Sequence, residues 1–145
     1  MNLSAHFTLE ELTHTEVRDI DNTPSATQVD KLRWLAEQLE LVRDLTGPMR
    51  VTSGYRCPML NSRVGGQPSS QHMVCEAADL QSLGAVLTPL EMCRRVRDSD
   101  IAFDQLIYEF GAWMHISFRQ DYETRPPRRI VLTIDRRGTR EGLPH

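Results

Sequence analysis

The sequence predicts an α+β fold, a small antiparallel sheet with helices packed on one side, in a single domain covering residues 1–145. Three observations carry the prediction. Apolar positions recur at helical spacing early in the chain, β-branched and aromatic runs crowd into its last third, and capping or turn residues punctuate both. Helices first and strands late suit a sheet covered on one face better than alternating βαβ units.

Thr8 and Glu11 stand at capping-box spacing, which predicts a short helix over residues 9–13. Asp21, Asn22, Thr23, Pro24 and Ser25 read as a turn. Over residues 27–45, Val29, Leu32, Leu35, Ala36, Leu39 and Val42 keep a helical period until Gly47-Pro48 stops it, predicting a long helix with one face on the core. Residues 49–52 read as a strand. Ser53-Gly54-Tyr55-Arg56 breaks it, and Pro58 opens a short helix that ends at Gly65-Gly66. Thr88-Pro89-Leu90-Glu91 combines an N-cap, a proline at the first helical position and a capping glutamate, so a helix is expected to about residue 97. Residues 103–110, 113–118 and 130–134 are strand candidates, separated by Gly111-Ala112 and by Pro126-Pro127. The polar residues 136–145 are expected to be loosely held.

With 17 basic against 20 acidic residues, the formal net charge of -3 gives no general drive toward nucleic acid, and 39% apolar residues suit a globular chain. Cys57, Cys75 and Cys93 are an odd number at unrelated spacings. They read neither as a disulfide framework nor as a paired-cysteine metal site, and they fit synthesis in a reducing compartment. No stretch approaches the roughly 18 apolar residues that span a bilayer, so membrane insertion is not expected. Residues 1–10 lack the basic start and apolar run of a secretory signal.

Two of the histidines sit in segments of distinctive composition. His72 is followed by a carboxylate at Asp79, and fully extended chain would hold the two about 23 Å apart. They can share an ion only if the chain between them doubles back. In Trp113-Met114-His115-Ile116-Ser117-Phe118, strand alternation puts Trp113, His115 and Ser117 on one face and the apolar residues on the other. His115 is then presented to the more polar side. Spacing alone leaves both the metal-site reading and that of ordinary structural histidines open.

Several segments together resemble one family. Ser70-x-His72-x-x-Cys75-x-Ala77-x-Asp79 resembles the S-x-H-x-x-G-x-A-x-D signature of the zinc D-alanyl-D-alanine peptidases, the M15 family, and Trp113-Met114-His115 resembles its W-x-H segment. Val51-Thr52-Ser53-Gly54-Tyr55-Arg56, Asn61 and Val64-Gly65-Gly66 are similar to the stretch before the signature in the subgroup common in bacteriophages and prophages. His6-Phe7-Thr8-Leu9-Glu10-Glu11-Leu12 and Ile20-Asp21-Asn22-x-Pro24 are similar to that subgroup's N-terminal region.

The resemblance implies the hedgehog/DD-peptidase-like version of the α+β fold and one zinc ion held by His72, Asp79 and His115. Three protein ligands leave catalytic zinc an open position, from which it activates water and polarises a carbonyl. The resemblance also implies an acidic proton carrier shortly before the last histidine. Glu109 is the one close by, six residues before His115 where some members have it three before. A two-residue Gly111-Ala112 turn would put Glu109 on the wrong face. A connection of Phe110, Gly111 and Ala112 sets it opposite Trp113 and beside His115, and this longer loop is expected. Arg56 aligns with the arginine that steadies the carbonyl oxygen as it gains charge. Tyr55, Ser70, Gln71 and Trp113 are pocket candidates by position.

Cys75 stands where the family pattern has glycine. If that position has positive φ a cysteine is strained, and a thiolate close to the ion could compete as a ligand. The expected substrate is a peptidoglycan stem peptide, cut by a D-Ala-D-Ala carboxypeptidase or by an L-Ala-D-Glu or cross-bridge endopeptidase. Another D-amino-acid peptide, such as a dipeptide, is a further candidate substrate. A chain made in the bacterial cytoplasm without a signal is expected to reach the wall through a holin, as an endolysin, or on a virion. The competing class is a non-catalytic zinc-containing binding or structural module, such as a virion tail component.

Overall fold

The computed structural model describes residues 1–145. In chain order the elements are α1 (Leu9–Thr13), α2 (Ala26–Thr46), β1 (Met49–Ser53), α3 (Pro58–Arg63), a 3-10 turn (Gln71–Val74), β2 (Ala77–Ser82) and a second 3-10 turn (Leu83–Ala85). They continue with α4 (Pro89–Arg97), β3 (Gln105–Glu109), β4 (Trp113–Ser117), β5 (Ile130–Asp135) and β6 (Gly138–Glu141). The fold is α+β. Capping boxes open α1 at Thr8 and α4 at Thr88, and a third, Ser25 with Gln28, opens α2.

The six strands form one open sheet in the order β1-β2-β4-β3-β5-β6. All neighbours are antiparallel except β3 and β5, which run parallel, so the sheet is mixed. The exception follows from the connection 118–129. It carries the chain past β3 and returns it antiparallel to β4, a direction that is parallel to β3.

One face of the sheet is covered by α2 and α4. Leu32, Leu35, Leu39 and Val42 of α2 and Met92, Cys93 and Val96 of α4 form one buried cluster with Leu80, Leu106, Met114 and Ile116. Strand alternation then turns Asp79, Ile107, Glu109, Trp113 and His115 to the opposite face.

Two sequence expectations need correction: the sheet is not wholly antiparallel, because β5 runs parallel to β3, and the tail is held. Residues 136–145 are not loosely held, because Gly138 takes φ +102° in a tight turn and β6 pairs with β5 from Asp135↔Gly138 to Leu132↔Glu141. β2 was not legible as a strand at all. Its Ala-Ala-Asp-Leu sequence has low β propensity, but the four residues are buried between β1 and β4, and pairing overrides propensity.

Two buried acids tie the connection 118–129 to the sheet. Glu76 Oε2 accepts from the Gln120 backbone N–H at 3.0 Å and from Arg125 Nη2 at 2.9 Å. Asp104, fully buried, accepts from the Arg128 backbone N–H and Nε at 3.0 Å each and from Arg128 Nη2 at 2.8 Å. Gln71 Nε2 donates to it at 2.9 Å. Burial alone would raise the Asp104 carboxyl, but the hydrogen bonds from Arg128 outweigh it and hold the pKa down at about 2.

A depressed carboxylate stabilises the fold above its unfolded pKa of about 3.9, and that contribution fades as pH falls toward about 2. Asp104→Asn should therefore lower stability at pH 7 by up to about 2 kcal/mol, the half-exposed Arg128 screening part of it. Urea unfolding from pH 7 to pH 2 should show the gap between variant and parent closing below about pH 4; a gap that stayed constant would contradict the assignment.

Candidate metal centre

β2 and β4 place two of the three candidate ligands directly opposite each other, since Asp79 pairs with His115 in the antiparallel register. The third reaches them through the fold-back that the sequence required. After the turn Gln71–Val74, Cys75 adopts φ +62° and ψ +32°, and its N–H and that of Glu76 both donate to the Gln71 carbonyl. The chain reverses there and brings His72 over β2.

The donor atoms of His72, Asp79 and His115 lie within 4.8 Å of one another, and all three residues are buried. Asp79 Oδ1 is 3.0 Å from His115 Nδ1 and 3.4 Å from His72 Nε2. Its other oxygen, Oδ2, faces Arg56 Nη2 at 3.4 Å. Burial opposes ionisation of Asp79, yet the charge and hydrogen bonds of the two imidazoles in their protonated form hold its carboxyl far below the usual range. Burial pushes His72 the other way, below the usual imidazole value, in spite of Asp79, so its ring is neutral at neutral pH.

The tautomer of His72 follows from its partner. Nδ1 lies 2.8 Å from the Gly54 carbonyl, which can only accept, so Nδ1 carries the proton and Nε2 presents a lone pair. A lone pair facing a carboxylate oxygen at 3.4 Å is repulsive unless a cation lies between them. Two imidazoles and one carboxylate suit a borderline-soft divalent ion, and zinc fits this donor set.

Gly54 has a second constraint. A Cβ there would stand 2.4 Å from the Leu12 carbonyl oxygen, so only glycine lets this backbone lie against the end of α1 while offering its carbonyl to His72. The surrounding loop is tied down by Tyr55 N–H to Leu12 O at 2.7 Å and by Asn22, which bonds both Tyr55 O and Cys57 N. Arg56 is fixed in turn by Ser53 Oγ at 3.0 Å and Asn61 Oδ1 at 3.4 Å. A Cβ at Gly66 would meet that Asn61 oxygen at 2.1 Å.

The centre opens on a cleft of about 820 Å³ lined by Arg56, Ser70, Gln71, Glu109 and Trp113, among others. A smaller groove of about 370 Å³ shares Arg56, Asp79 and Trp113 with it as lining. The β3–β4 connection is three residues long. Phe110 and Gly111 both take positive φ, and Glu109 pairs with Trp113, with its Oε1 3.8 Å from His115 Nδ1. Burial, then the charge of Asp79, pushes the Glu109 carboxyl above its ordinary value.

Ser70 and Gln71 line the cleft but have structural partners as well. Ser70 Oγ accepts from the His72 N–H at 3.2 Å, and Gln71 holds Asp104. Tyr55 does not line it. The residue is 4% exposed and packs in the core, because the tether to Leu12 turns the side chain inward. Cys75 does occupy the left-handed region, a conformation that disfavours a side chain. Its thiol is not among the clustered donors; it is fully buried in the hydrophobic core, where burial pushes its pKa up to about 11. Sequence reasoning missed the Gly54 carbonyl, the Ser53 and Asn61 brace on Arg56, and three arginines of the connection 118–129 that line the cleft, Arg119, Arg125 and Arg128. Those arginines were visible only as charge beside a Pro-Pro pair.

A family model described as Peptidase M15 matches residues 5–117, a stretch that contains His72, Asp79, His115, Glu109 and Arg56. No curated protein matches the chain.

If the three donors hold a divalent ion, Gly54→Ala should weaken its binding by about 10–100-fold, the usual loss when the partner of a ligating histidine moves. Competition with a chromophoric chelator measures it, and unchanged affinity would exclude the Gly54 carbonyl as the group that orients His72. Thiol titration of the native chain should find Cys57 reactive, while Cys75 and Cys93, buried and raised to about 11 and about 12, react only in denaturant.

Proposed function

The chain belongs to the M15 peptidases, as a match running through well over half of its length shows, and from that premise we propose that it is a zinc metallopeptidase that hydrolyses a peptide bond in the stem peptides of bacterial peptidoglycan. The observation that carries the reading is the convergence of His72 Nε2, Asp79 Oδ1 and His115 Nδ1 at the wall of an open cleft, with Glu109 on the same face of the sheet.

In this reading His72, Asp79 and His115 hold the ion. Zinc in that position supplies polarisation of the scissile carbonyl and a lowered pKa for the attacking water. Glu109 takes the proton of that water and returns it to the leaving amine, and a carboxyl raised by burial is suited to both halves of the exchange. Arg56, 17% exposed and braced by Ser53 and Asn61, offers its guanidinium to the carbonyl oxygen as negative charge develops there. Trp113 and Phe110, with ring centroids 5.7 Å apart, form an apolar edge of the cleft. Ser70 and Gln71 lie along its wall as substrate contacts.

A second groove on the far side of Arg56 and Trp113 offers a place for chain beyond the reacting bond. This favours an endopeptidase over a carboxypeptidase within the same substrate class. We assign the protein to the phage or prophage lysins, released by a holin or carried on a virion, on its resemblance to that subgroup.

Incubating the zinc-loaded protein with purified peptidoglycan should release stem-peptide fragments whose masses identify the bond. Glu109→Gln should reduce release by about 10²–10⁴-fold while one zinc per chain is retained. Absence of any fragment from the parent protein would overturn the reading. Full activity in the variant would remove Glu109 from it.

A further inference from the structure

The lining of the cleft carries four arginines, Arg56, Arg119, Arg125 and Arg128, against two carboxylates, Asp79 and Glu109, although the whole chain has a net charge of -3. Acids beneath and beside the lining pair with these guanidiniums: Asp79 with Arg56, Asp104 with Arg119 and Arg128, and Glu76 and Asp121 with Arg125. Three of the four arginines belong to the connection 118–129, beyond the residues 5–117 that the family match covers. They form one wall of the cleft.

Within the wall, two guanidiniums share one buried acid. Arg128 grips both oxygens of Asp104, with Nε at 3.0 Å from Oδ1 and Nη2 at 2.8 Å from Oδ2. Arg119 Nε approaches Oδ1 to 3.1 Å, yet it is buried without a hydrogen-bond partner, because Asp104 already accepts from Arg128 and Gln71. The one hydrogen bond that Arg119 makes runs from Nη1 to the Pro126 carbonyl at 3.1 Å. Two positive charges against one negative leave a local surplus of one at Asp104, and Arg119 Nη2 makes no hydrogen bond within the protein. Arg125 lies between two acids, Glu76 and Asp121, so the surplus is confined to Asp104 and its two arginines.

Position gives the surplus a use. β4 ends at the fully buried Ser117 and Phe118 packs in the core, while Arg119, four residues after His115 and so within about 13 Å of chain, lines the cleft. An extended peptide crossing the metal centre would pass it within a few residues. A planar guanidinium with free donors matches a carboxylate in geometry as well as in charge.

We propose that Arg119 and Arg128, held by Asp104, form a carboxylate subsite that selects an anionic peptide by a free carboxylate lying a few residues from the reacting bond. The proposal rests on the peptidase reading for the identity of that peptide. Peptidoglycan stems, in which γ-linkage leaves a backbone carboxylate free, belong to this chemical class.

The test compares a stem tetrapeptide bearing its free carboxylates with the same peptide in which each is a carboxamide. Calorimetric binding to the zinc-loaded Glu109→Gln chain avoids turnover. The acid form should bind at least about tenfold tighter than the amide, as loss of a charge-assisted pair predicts. Adding Arg119→Gln should shrink that preference to about threefold or less, and Arg119→Lys should restore part of it. Equal binding of acid and amide, or an Arg119→Gln variant that weakens both peptides alike, would overturn the subsite. If the parent protein cuts neither peptide while the preference and its loss persist, the subsite stands and the hydrolytic reading falls.

Discussion

The structure turns on one buried carboxylate. Asp79 sits on a central strand with 5% of its surface exposed, where an unpaired charge is expensive, and its two oxygens are divided between different partners. Oδ1 faces both imidazoles and Oδ2 faces Arg56. That division aims one oxygen at the space between the histidines. It also explains why so much of the surrounding chain is devoted to fixing other groups: Gly54 sets the His72 tautomer, Ser53 and Asn61 brace Arg56, and Asn22 ties down the loop that carries both Gly54 and Arg56.

The sheet separates stability from chemistry. One face is closed by α2 and α4 over a continuous apolar cluster, so the candidate ligands on the other face stand on backbone that packing holds rigid. Because Asp79 and His115 are a cross-strand pair, their separation is set by the ladder itself. His72 depends on a local device, the left-handed backbone at Cys75. The connection 118–129 forms the far wall of the cleft and is held through Glu76 and Asp104, two acids buried beneath it.

Much of this was legible in the residues. The capping boxes at Thr8 and Thr88 and the helical period after Ser25 placed α1, α4 and α2, and alternation around His115 gave the face it presents. The pairing of His72 with Asp79 was legible only through the whole signature, because a seven-residue separation says nothing until the fold-back at Cys75 is known. The same position shows the limit of analogy. Cysteine in place of glycine suggested a thiol near the ion, but the left-handed backbone turns that side chain into the core. Tyr55 was misplaced for a similar reason, since its neighbours Gly54 and Arg56 face the site and its own ring does not. β2, β6 and the parallel pairing of β5 were invisible because each follows from tertiary contacts that leave little local pattern.

The central claim is that two imidazoles and one carboxylate, with no sulfur, grip a single ion. X-ray absorption at the zinc edge on the loaded protein reads the donor set directly. The account predicts nitrogen and oxygen scatterers at about 2.0–2.2 Å, two of them imidazoles, and a position filled by solvent. A sulfur shell at about 2.3 Å, or an imidazole count that did not fall in His72→Ala or His115→Ala, would contradict it.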